Sequence, residues 1–129
     1  MKKISNVAFL LVAAALSACG SNLEFFPDYI DSTAPAITAS ISGFTSFSNN
    51  TTHVSALPAT VTFSSNEAAT IYYTTNGSDP TTASSSVAAS ANTPISGPSI
   101  TISSTILKFF GVDTLANASS IQRSTIVTP

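Results

Sequence analysis

The chain has 129 residues, of which 8% are charged, with a formal net charge of −2 and a single cysteine. Four Lys and Arg residues against six Asp and Glu exclude the clustered cations that neutralise nucleic-acid phosphates. One cysteine excludes an internal disulfide, so stability must come from a core, and the length has room for one domain behind a leader.

Lys2 and Lys3 open the chain on positive charge. Val7 to Leu16 follows as an apolar run, the length of a signal-peptide core and too short to cross a ~30 Å hydrocarbon layer as a helix. It ends in Leu16-Ser17-Ala18-Cys19-Gly20, which resembles the lipobox of bacterial lipoproteins. That resemblance implies a signal-peptide helix over residues 1–18, cleavage between Ala18 and Cys19, and acylation of Cys19, with membrane lipid as the partner. A methylene buried in the bilayer contributes ~0.8 kcal/mol, and more than one acyl chain gives lasting attachment. Gly20 rather than Asp after the cysteine favours the outer membrane, as in Gram-negative lipoproteins. The alternatives are a plain secretory signal, which needs the single cysteine to fall at the cut by chance, and a transmembrane anchor, which needs a longer run.

Without residues 1–18, only Lys108 and Arg123 stand against Glu24, Asp28, Asp31, Glu67, Asp79 and Asp113, and roughly a third of the residues are Ser or Thr. A hydroxyl-rich surface of this kind suits an exported all-β protein. Residues 19–35 read as the lipidated cysteine and a tether. Within the tether, Leu23, Phe25, Phe26, Tyr29 and Ile30 are open to three readings: insertion at the membrane interface, packing on a protein, or flexible linker.

From Ala36 onward, period-2 segments recur between turn residues, which predicts one antiparallel sandwich of about seven strands over residues 36–129. The expected strands are 37–41, 61–63, 70–74, 99–102, 106–112 and 121–127, with a seventh near Val87 or Ile95. Phe44–Pro58 and Asp79–Pro98 read as long connections, the second mobile through its small residues Ala83 to Thr93.

Two stretches carry a family resemblance. They are Ala69-Thr70-Ile71-Tyr72-Tyr73-Thr74-Thr75-Asn76-Gly77-Ser78-Asp79-Pro80-Thr81 and Thr105-Ile106-Leu107-Lys108-Phe109-Phe110-Gly111-Val112-Asp113. Both resemble the chitobiase/β-hexosaminidase C-terminal-like domain, an immunoglobulin- or fibronectin-III-like accessory module of exported bacterial proteins. Val61-Thr62-Phe63-Ser64 and Pro94-Ile95 fit the same layout, so the likeness covers residues 33–129 in outline. Asn76-Gly77 suits a tight turn that needs positive φ. After Asp113, Thr114-Leu115-Ala116-Asn117 stands where the family has a Gly-Asn turn, with Asn117 able to take the left-handed conformation.

Catalytic constellations are sparse. Glu67, Asp79 and Asp113 are the acids available for paired-carboxylate chemistry, and their positions at strand ends predict that they do not converge. His53 is the sole histidine and reads as a solvated loop residue rather than a general base. Asn76, Ser78 and Asp79 have oxygens for Ca²⁺, yet the same spacing is what a turn requires. No catalytic residue, metal site or cofactor is expected.

If the 70–74 and 106–112 strands are neighbours, Ile71, Tyr73, Leu107 and Phe109 face inward, and Tyr72, Phe110 and Val112 face outward. Tyr72 and Phe110 are then a candidate ligand-binding patch for a sugar or a protein, or a cross-strand pair that stabilises the sheet. The expected function is a non-catalytic, membrane-anchored interaction or spacer module of the bacterial cell envelope, with envelope protein or polysaccharide as possible partners. The alternative is a carbohydrate-binding accessory lipoprotein.

Overall fold

Period-2 alternation becomes β-structure along most of the chain that the computed structural model describes, residues 31–42 and 49–127. The leader, Ala18, Cys19 and the apolar tether residues lie outside the described residues. Within the unit that begins at Ser32 there are eight strands and, among the described residues, no helix. They are β1 (Ile37–Ile41), β2 (Thr51–Val54), β3 (Ala59–Ser65), β4 (Ala69–Thr74), β5 (Ser85–Ala89), β6 (Ile95–Ile100), β7 (Thr105–Asp113) and β8 (Gln122–Val127).

The strands form two sheets, β1-β3-β6 and β2-β8-β7-β4-β5. This split, with β4 beside β7 in one sheet and β3 in the other, is that of immunoglobulin-like sandwiches. Burial follows the pleat. Ile37, Ala39 and Ile41 of β1 and Val61 and Phe63 of β3 are buried from one sheet; Ile71, Leu107, Phe109 and Ile126 are buried from the other. The Phe63 and Phe109 ring centroids lie 5.2 Å apart, tilted by 54°, so one aromatic contact joins the sheets at the centre of the core. Tyr73 adds a third ring, 5.9 Å from Phe63.

Gly97 makes room for this cluster. A Cβ built there would lie 2.4 Å from Cε2 of Phe63 and 2.7 Å from its Cδ2, well inside van der Waals contact.

The described residues form eight strands where about seven were expected, and Val87 and Ile95, the alternatives for the seventh, lie in β5 and β6. Three expectations need correction. β2 lies in the first connection and pairs parallel with β8, so the sandwich is not wholly antiparallel. β5 occupies the small-residue run of the second connection, pairing along its full length with β4. Residues 85–89 of that run are therefore strand, where a mobile connection was expected. The strand expected at 99–102 instead spans Ile95–Ile100. Pro98 is tolerated there because β6 is an edge strand, where one face of the backbone needs no ladder donor. Ile102 lies beyond it, 73% exposed.

Candidate functional site

The outward face of the five-stranded sheet is assembled by β4 and β7. Their antiparallel register sets Tyr72 directly opposite Phe110, with Thr70 opposite Val112 and Thr74 opposite Lys108. Tyr72 and Phe110 are half-buried, and their ring centroids are 5.4 Å apart at an interplanar angle of 25°. This is the offset-stacked geometry that aromatic pairs prefer. Each ring therefore spends one face on the other, and the two do not lie side by side as one flat platform.

The surroundings are small and polar. Ser86 of β5 stands opposite Tyr72, and Arg123 of β8 stands opposite Lys108. Lys108 is neutralised by an ion pair with Asp79. Asp79 is largely exposed, so the pair is worth about 0–1 kcal/mol. Arg123 is exposed, and its backbone N–H donates to Oδ1 of Asn49 at 2.9 Å.

At the opposite end of β4 and β7, the acids depart from expectation. Ala69 is the register partner of Asp113, which carries Glu67, two residues earlier, to the same end. The carboxylate oxygens of Glu67 and Asp113 lie within 4.8 Å of each other. Two acids thus converge where none were expected to, whereas Asp79 lies apart with Lys108. The antiparallel pairing already held this signal, since it sets the start of one strand beside the end of the other.

Asp113 is, however, taken up by its own turn. Its Oδ1 accepts the backbone N–H groups of Leu115 and Asn117, each at 2.8 Å. Its Oδ2 accepts Nδ2 of Asn117 at 2.7 Å. Partial burial works to raise the carboxyl's pKa, but hydrogen bonds from the Asn117 side chain and from the turn backbone outweigh it. The net effect is to hold the group below its ordinary value. The left-handed residue of this turn is Ala116, at φ 69°, rather than Asn117. Asn117 instead supplies the side-chain donor.

The turn after β4 also consumes its polar atoms. Oδ1 of Asn76 accepts the backbone N–H and the hydroxyl of Ser78, at 3.0 and 2.7 Å. The N–H of Gly77, at φ 84°, donates to the carbonyl of Ile106 at 3.1 Å. Asn76, Ser78 and Asp79 thus serve turn closure and an ion pair.

His53 is not in a solvated loop. The parallel register of β2 sets it opposite Ile126, on the inward side, where it is buried at 8% exposure. Its position in a strand too short to show a period is what hid this from the sequence.

Two sheets, with β4 beside β7 in one and β3 in the other, define an immunoglobulin-like β-sandwich module. The chain belongs to the Chitobiase/beta-hexosaminidase C-terminal domain family, whose profile matches residues 49–124. No curated protein and no solved structure matches the chain.

Proposed function

We propose that this protein is a lipid-anchored, non-catalytic module that displays a β-sandwich in the bacterial cell envelope, as an interaction or spacer unit. The observation that carries the reading is the single cysteine, Cys19, placed directly after a short apolar run and the small residues Ser17 and Ala18. Acyl chains on Cys19 would hold the protein at the membrane, and Gly20 favours the outer membrane. The absence of catalysis is supported by Asp113, both of whose oxygens are engaged in a turn, and by His53, which faces the core.

The test is fractionation of cells expressing the wild type and Cys19→Ser. The reading expects the wild type in the membrane fraction, at the mass of a cleaved and acylated chain. It expects Cys19→Ser to leave that fraction. A Cys19→Ser protein that stays in the membrane at its uncut mass ends the proposal.

A second reading is a carbohydrate-binding accessory role, favoured by the outward position of Tyr72 and Phe110 among the hydroxyls of Thr70, Thr74 and Ser86. Mutual stacking of the rings weighs toward the spacer or protein-contact role, because a sugar face is best met by an open, flat ring. Titration of Tyr72→Ala/Phe110→Ala against cell-wall glycans and envelope extract separates the two. Lost glycan binding supports the carbohydrate reading, and unchanged binding removes this face as the site.

A further inference from the structure

We propose that the Asn76–Gly77 step is a latent deamidation site, held unreactive by the folded turn and released when the turn opens. It is the one asparagine of the chain followed by glycine. The missing side chain at Gly77 leaves the backbone nitrogen sterically open to the neighbouring side-chain amide, and asparagine is a thermolabile residue for this reason. Asn76 is exposed, so water and base have access.

The chemistry has two steps. The Gly77 amide nitrogen gives its proton to a solvent base and attacks Cγ of Asn76. A Cγ–N bond forms, the Cγ–Nδ2 bond breaks, and ammonia leaves, closing a succinimide. Water then opens the ring at either carbonyl, giving aspartate or isoaspartate at position 76. No oxidant, metal or other co-reactant is needed.

Both reacting groups are restrained in the fold. The Gly77 N–H that must be lost is committed to the Ile106 carbonyl at 3.1 Å, which ties the attacking nitrogen to β7. The Asn76 amide is fixed by two donors from Ser78, at 3.0 and 2.7 Å, and Asn76 itself bridges to Ile106. Attack therefore requires release of the Gly77–Ile106 bond and rotation of the Asn76 side chain. Conversion follows the population of the open turn. Isoaspartate would add a backbone atom at the bridge and a negative charge, so the turn could not re-form in its native register.

The donors from Ser78 also polarise the amide carbonyl, an effect that would speed attack. Restraint outweighs this polarisation, and Ser78→Ala tests the sign.

The experiment incubates the full chain in mildly alkaline buffer, folded and in urea, and follows Asn76 by peptide mass mapping. Conversion at Asn76 in the folded protein is expected to be slower than in urea by about tenfold or more, since it waits on local opening. Ser78→Ala, checked for a native circular dichroism spectrum, is expected to convert faster than the wild type when folded and at the same rate in urea. Equal rates for the folded and unfolded wild type overturn the proposal. So does a folded Ser78→Ala that converts more slowly than the wild type.

Discussion

Gly97 and Asp113 show how much can rest on one atom. At Gly97 an added methyl meets the ring of Phe63, which is itself fully buried and, being a rigid ring in a filled core, has no free end to swing aside. Overpacking of this kind costs about 1–3 kcal/mol. Gly97→Ala should lower the urea midpoint accordingly, and a midpoint equal to wild type would show that β6 moves away freely. At Asp113 the decisive quantity is charge. The folded turn favours the carboxylate and holds its pKa below the ordinary value, so its contribution is full above the ordinary aspartate range and lost as pH falls through the depressed value. Asp113→Asn is therefore expected to be less stable than wild type at neutral pH, with the gap closing on acidification. Thermal melts across that range check it, and parallel curves would contradict it. Neither role was legible beforehand. Gly97 stood beside a proline in what read as a loop, and Asp113 acts through donors whose placement depends on the left-handed Ala116. His53 went unread for the same kind of reason, as one buried residue in a four-residue strand has no visible period.

Strands that bury two or more large side chains were legible. β1, β3 and β7 alternate cleanly, β4 does so through Ala69 and Ile71, and the expected pairing of β4 with β7 set Tyr72 and Phe110 on one outward face. β5 was legible only as one of two options, near Val87, because an edge strand of Ser and Ala needs no large inward residue, and only Ala89 of its five is buried. For the aromatic pair, the element-scale prediction is a coupling. A double-mutant cycle of Tyr72→Ala and Phe110→Ala, read by denaturant unfolding, should return about 0.5–1.5 kcal/mol of interaction. A value near zero would mean that the stacking seen between the strands stabilises nothing, and would leave both rings free for a ligand.

For the whole molecule, the proposed anchor and the sandwich call for separate tests. The Cys19→Ser change proposed above addresses where the protein resides. The same substitution should leave the urea midpoint of the sandwich unchanged, since the eight strands lie downstream of it. A shifted midpoint would mean that the leader or tether contributes to the fold.

The parallel pairing of β2 with β8 has a mechanical consequence. Thr51 to Val54 run alongside Ser124 to Val127 in the same direction. Tension between the two ends of the domain passes through β1, which is held to β3, before it reaches β2; it then pulls β2 toward its start and β8 toward its finish, so the paired strands are driven past each other. Their hydrogen bonds are then strained together instead of opening one after another. A domain tethered to a membrane at one end and gripped at the other would meet such a load with its strongest arrangement, giving way abruptly at high force. Single-molecule pulling from the ends, compared with pulling across the antiparallel β4–β5 edge, should show the difference as a higher rupture force for the ends.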